Sequence, residues 1–162
     1  MTRRRQVAVS GGGVDPSAGA LDAAEEVGRR LAEAEITVVC GGLGGVMEAA
    51  ARGAARAGGE VIGILPGDDP ADANPHCTQV VATGVGHARN LAVAASADAV
   101  IALGGEWGTL SEIAFARRLG RPVVALETWT LRGVGAMEDA PGIEAVSDPA
   151  AALEAVERAT AS

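Results

Sequence analysis

Short apolar runs alternate with longer stretches of helical spacing along almost the whole chain. The runs are Val7 to Ser10, Ile36 to Cys40, Glu60 to Leu65, Thr78 to Ala82, Ala99 to Leu103 and Pro122 to Leu126. They are brief and mostly rich in β-branched residues, which predicts strands. Between them the spacing turns helical. Ser17 to Ala34 lines up Leu21, Ala24, Val27 or Gly28, and Leu31, and Val46 to Ala57 is mostly alanine and stops at Gly58-Gly59. Gly84 to Ser96, a glycine entry and a helix containing His87-Ala88-Arg89-Asn90, and Thr109 to Leu119 continue the series. After an irregular stretch, Thr128 to Gly142, come a short strand at Ile143 to Val146 and a closing helix from Pro149 to Ala159. Alternation of this kind, with continuously apolar strands, predicts an α/β fold: one doubly wound, Rossmann-like parallel sheet with helices on both faces. No internal repeat or linker divides the chain, so residues 1–162 are expected to form a single domain.

Three glycine clusters, at 11–13, 41–45 and 104–108, each follow a strand and so open on the carboxyl edge of the sheet, where such folds bind ligands. The stretch Ala99 to Glu112, AVIALGGEWGTLSE, carries the clearest signal. A strand that ends on glycines and re-enters as a helix leaves unpaired backbone N–H groups at the positive end of the helix dipole, a ready anion site. Thr109 is the expected cap and can offer its hydroxyl to the same anion. Thr109-Leu110-Ser111-Glu112 also reads as a capping box, in which Glu112 only reaches back to the Thr109 N–H. Asp68 to Cys77, rich in Asp, Pro, Ala and Asn, is a surface loop and candidate lid.

Composition narrows the chemistry. All 13 basic residues are arginine. Without lysine there is no Schiff base to pyridoxal phosphate and no P-loop lysine. The net charge of −8 and the near absence of aromatics argue against nucleic-acid binding. No apolar run approaches the ~20 residues of a membrane span, and the start, Met1 to Gln6, lacks a signal-peptide core, which makes the cytoplasm the expected location. Cys40 and Cys77 stand 37 positions apart with no ligand spacing around them, suggesting neither a disulfide framework nor a metal site. The dinucleotide fingerprint fails: Met47 stands where its third small residue belongs, and Cys40 where the acidic residue of the next strand should be.

CGGLGGVME at 40–48, GVGHARN at 84–90 and GGEWGTLSE at 104–112 resemble the LOG-like superfamily. It includes cytokinin riboside 5′-monophosphate phosphoribohydrolases, long mislabelled lysine decarboxylases, and a DprA/Smf-related branch containing molybdenum cofactor carrier proteins. The details look most like that branch. On the phosphoribohydrolase signature, an arginine followed by lysine and then PGGxGTxxE, the arginine falls on Arg89 and the glutamate on Glu112. The resemblance implies that these two are catalytic and that the GT, Gly108-Thr109, contacts phosphate. The full phosphate- or nucleotide-binding set expected on the rim is Gly12, Gly42, Gly44, Gly45, Met47, Arg89, Asn90, Gly104, Gly105, Gly108 and Thr109. Three positions depart from the signature: its proline is Gly104, its second glycine Glu106, and its lysine Asn90.

Two functions follow. In one, a nucleoside 5′-monophosphate is hydrolysed to free base and ribose 5-phosphate, Glu112 stabilising positive charge on the ribose while activating water. In the other, a phosphorylated pterin or nucleotide is held and passed on without chemistry. Arg89 with Glu112 favours the first; Glu106, Asn90 and the branch match favour the second. Neither implies a resident cofactor or metal. The apolar helices LAVAASA at 91–97 and IAFA at 113–116 suggest a homodimer, which the resemblance also implies.

Overall fold

In a computed structural model, residues 3–135 and 140–161 are described. Met1 and Thr2 of the arginine-rich start, residues 136–139 of the irregular stretch and Ser162 lie outside them. The strands are β1 (Gln6–Gly11), β2 (Thr37–Cys40), β3 (Val61–Leu65), β4 (Gln79–Ala82), β5 (Ala99–Gly104), β6 (Val123–Thr128) and β7 (Ile143–Val146). The helices are α1 (Ala18–Glu33), α2 (Val46–Arg56), α3 (Arg89–Ser96), α4 (Trp107–Arg118) and α5 (Pro149–Thr160).

All seven strands run parallel in one sheet of order β4-β3-β2-β1-β5-β6-β7. The chain winds outward from β1 to β4, then returns to place β5 on the other side of β1. The switch point, where a doubly wound sheet opens for a ligand, is therefore between β1 and β5.

Side chains alternate across the sheet with the period of 2 that a strand imposes. Val7, Val9, Ile101 and Leu103 face a core shared with α1, α2 and α5, and Ala8, Val100 and Ala102 face the core under α3 and α4. Helices thus cover both faces, as the apolar strands require. Ser17 caps α1, its hydroxyl accepting from the Ala20 N–H at 3.1 Å. α1 and α2 approach closely: a Cβ on Gly28 would stand 2.0 Å from the Ala50 carbonyl oxygen, and one on Gly53 1.9 Å from that of Glu25. The choice between Val27 and Gly28 disappears, since both are buried.

One boundary shifts with consequences. α4 starts at Trp107, and Glu106, not Thr109, is its cap, in extended conformation (φ −80°, ψ 158°) with its carbonyl accepting from the Leu110 N–H at 3.1 Å. Thr109 lies inside the first turn, so the capping box cannot form and Glu112 has no structural duty to the helix start. The cause is the glycine turn, which ends at Gly105 and lets Glu106 turn directly into the helix.

Candidate functional site

Two groups of the expected residues meet at the carboxyl ends of β1, β2 and β5, on either side of the sheet's edge. The first centres on Glu112, which α4 carries under the end of β1. Ser10, the last side chain of β1, donates its hydroxyl to Glu112 Oε2. Glu112 is only 7% exposed, and burial pushes its carboxyl up to about 7, against the opposing pull of the Ser10 hydrogen bond and the Arg89 charge. Sequence spacing does not single out Ser10. A serine closing an apolar strand beside a glycine cluster is the signal that could have pointed to it.

Arg89 starts α3 after the turn Gly86–Ala88 and is 9% exposed. It reaches across the sheet edge and donates from Nη1 to the Ile64 carbonyl at 3.1 Å. The Gly41 backbone packs on the guanidinium so tightly that a Cβ there would lie 1.8 Å from Nη1, with Met47 Sδ 2.6 Å away. Burial pulls the guanidinium below its ordinary value, and Glu112 opposes that. Among the described residues, Arg89 Nε and Thr109 Oγ1 are buried without a hydrogen-bond partner. Each such orphan costs about 1–3 kcal/mol. Thr109 and Glu112, three apart on α4, share one helix face. The buried Arg89 and Glu112 thus act on each other through their charges, Thr109 sits on the Glu112 face of α4, and the α4 start has no side-chain cap.

The second group lines a cavity of about 250 Å³ between the β1 and β5 ends, formed by Gly12, Gly104, Gly105, Glu106 and Glu127 with the turn at 14–17. Glu106 turns toward this side: its Oε1 accepts from the Val14 N–H at 2.9 Å and lies against Gly12, where a Cβ would be 2.7 Å away. The carboxylate that departs from the signature thus pins the β1 loop. A larger groove of about 440 Å³ on the outer side of α1 and α2 is lined by Glu25, Glu26, Arg29 and Arg56, all already ion-paired, and no strand end opens there.

The remaining expected residues are tied into the fold. Asn90 donates to Ser111 Oγ at 2.9 Å, joining α3 to α4 beside Gly108. Gly42 (φ +75°) folds back onto Gly63 and Leu65. Gly45 lies on the Gly12 carbonyl, which also accepts from the Val46 N–H at 3.0 Å. Gly44 remains open but for Glu48. The candidate lid is fastened at one point, because Asn74 donates its backbone N–H to Gly42 O at 2.8 Å and its Nδ2 to Leu43 O at 3.0 Å. Cys40 and Cys77, unremarkable by spacing, pack against each other at the same edge.

With β1 and β5 framing a switch-point site, the molecule falls in the class of Rossmann-like α/β proteins with a glycine-lined rim. More narrowly, it belongs to the SLOG cluster4 family, which residues 4–154 match. That bears out the LOG-like resemblance of the motifs. The molybdenum cofactor binding protein of Rippkaea orientalis superposes with a TM-score of 0.90 at 32% identity, over 98% of each chain. The molybdenum cofactor carrier protein of Chlamydomonas reinhardtii gives a TM-score of 0.84 at 32% identity, over 99% of this chain and all (100%) of that one. An uncharacterized protein of Archaeoglobus fulgidus is 45% identical over 104 residues, 64% of this chain and 68% of the relative. Among the described residues no helix is long and apolar enough to cross a membrane.

Proposed function

We propose that this protein binds a phosphorylated small molecule, a nucleotide or a phosphorylated pterin, at the β1/β5 switch point, with residues 1–162 acting as one binding unit. The carrying observation is the α4 start, which has no side-chain cap, together with Thr109 Oγ1 and Arg89 Nε, which are buried without a hydrogen-bond partner among the described residues. A phosphate over the Gly108-Thr109 turn takes the N–H groups and draws on the Arg89 charge, while the heterocycle and sugar extend toward the cavity under Glu106. The helix dipole and guanidinium offset the buried carboxyl.

Two fates for the ligand each have an observation behind them. Hydrolysis of the N-glycosidic bond of a nucleoside 5′-monophosphate is favoured by Glu112, whose value near 7 suits a group that must gain and lose a proton at neutral pH. Carriage without chemistry is favoured by the burial of that same carboxyl and by the similarity to molybdenum cofactor binding and carrier proteins. On this reading the ligand is cargo. The protein works as a homodimer in the cytoplasm; the apolar outer positions Leu91, Ala95 and Ala114 of α3 and α4 support the dimer.

Calorimetric titration with AMP, ribose 5-phosphate and inorganic phosphate, followed by assay of adenine release, tests both. Binding of AMP lost in Arg89→Ala supports the phosphate site. Release of adenine establishes hydrolysis, and tight binding without release establishes carriage. Absence of binding by any of these ligands or by a molybdopterin overturns the proposal.

A further inference from the structure

The cysteines that sequence spacing keeps apart meet at one place in the sheet. Cys40 is the last residue of β2 and lies fully inside the core, registered opposite Gly63 of β3. Cys77 follows the 68–76 loop and is half-buried. Its sulfur sits in the space that a Gly63 side chain would fill, 2.6 Å from the position of the missing Cβ. Adjacent strands lie about 4.8 Å apart, so a sulfur in the Cβ place of the neighbouring residue is within side-chain reach of Cys40. Gly63 is otherwise costly in a strand interior. Its absent side chain is what seats one thiol on the other.

The surroundings hold this arrangement. Asn74 anchors the loop to Gly42 and Leu43, and the Cys77 N–H donates to the Asn74 carbonyl at 3.2 Å. On the far side, Thr78 exchanges hydrogen bonds with the Val61 backbone, its N–H donating at 2.9 Å and its hydroxyl at 3.0 Å to the Val61 carbonyl. Cys77 is therefore fixed at both flanks beside a buried partner.

We propose that Cys40 and Cys77 form a reactive thiol pair which a low-molecular-weight disulfide converts to an intramolecular 40–77 bridge. Cys77 is the attacking group, because it alone reaches solvent. Cys77 loses its proton to water and its thiolate attacks one sulfur of the small disulfide; that S–S bond breaks, and the small thiolate that departs takes a proton from water. Cys40 then attacks the Cys77 sulfur, the mixed S–S bond breaks, and the second small thiolate leaves with the Cys40 proton as a thiol. The two cysteines lose two electrons, and the oxidant ends as two thiols. The chemistry of the two sites agrees with this division: the interaction with Cys40 and the Asn74 side chain lowers the Cys77 thiol, while Cys77 and burial push Cys40 up. The bridge fastens the 68–77 segment to the residue before Gly41, on which Arg89 packs.

The test incubates the native full chain with excess glutathione disulfide, then quenches, unfolds and alkylates with iodoacetamide before intact-mass measurement. The expected product is a monomeric chain lacking two hydrogens, with neither alkyl group nor glutathione, formed at least ~10-fold faster in the native state than in denaturant. Cys40→Ser should stop with one glutathione on Cys77, and Cys77→Ser should leave Cys40 unmodified. Wild-type protein that retains glutathione, stays doubly alkylatable, links between chains or forms the bridge no faster when native overturns the proposal. The native-to-denatured comparison needs only the wild type, so it decides even where a variant fails to fold.

Discussion

Glu112 brings a carboxyl from its ordinary 4.5 to about 7 by burial, and that shift has a sign in stability. Between those values the folded state binds a proton that the unfolded state has released, so stability falls as pH rises. Over the full interval the loss is on the order of 3 kcal/mol, and above about pH 7 it is complete. Urea denaturation from about pH 4 to pH 8 should show this decline in wild type and a much flatter profile in Glu112→Gln. Arg89→Ala removes the charge that opposes burial, so its decline should extend to higher pH. If Glu112 serves hydrolysis, Glu112→Gln should cut base release ~100-fold or more while AMP binding persists, read by single-turnover kinetics. Arg89 and Glu112 are legible as a pair because both fall on the phosphoribohydrolase signature, in stretches that follow a strand and a glycine turn. Their depth was not: one-dimensional spacing carries no sign that Gly41 closes over the guanidinium, and Ser10 has a partner 102 positions away.

At the scale of elements, sequence patterning located the strands and α-helices of the described residues, since continuous apolar runs and glycine stops are strong local signals, but it read the short 3-10 helix at Pro70–Asp72 as loop and did not fix the α3 start at Arg89. It failed at the α4 start, where Thr109 is a better cap by residue type than Glu106. The tight glycine turn, not side-chain preference, chose the boundary. The same local reading missed why α1 and α2 carry glycine in mid-helix. Gly28 and Gly53 let the two backbones touch, so Gly28→Ala forces a Cβ onto the Ala50 carbonyl. Helix propensity alone predicts a gain of about 1 kcal/mol for this change. The clash should reverse it to a loss of about 1–3 kcal/mol, measured by urea unfolding against Gly19→Ala, where nothing lies within 4 Å. Equal or greater stability of Gly28→Ala would show that the helices can separate without cost. Trp107, in the first turn of α4, is 76% exposed and its ring centroid is 5.3 Å from that of Trp129. Its fluorescence should therefore change when AMP occupies the α4 start, and an unaltered spectrum at saturation would move the ligand elsewhere.

For the whole molecule, the parallel sheet and its two helical layers follow from strand-helix alternation, and the switch between β1 and β5 follows from the return of the chain after β4. Assembly requires a finer argument. The stretches 91–97 and 113–116 look apolar throughout, but the fold already buries Val93, Ala94, Ile113 and Ala116 against the sheet. Half of the pattern that suggested a partner is thus satisfied within one chain. What remains is an outer stripe: Leu91, 44% exposed, with Ala95 and Ala114 exposed and Ala92 and Phe115 half-buried. Small side chains let two such helix pairs approach closely, and Leu91 supplies an apolar anchor near their start. Leu91→Arg should leave folding within about 0.5 kcal/mol of wild type, because the position is open to solvent in one chain. In a dimer it would bring two cations together across the symmetry axis and dissociate it. Light scattering at micromolar concentration should then give twice 16.0 kDa for wild type and 16.0 kDa for Leu91→Arg. A wild type already at 16.0 kDa would leave the stripe as ordinary exposed surface and remove the homodimer from the proposed function.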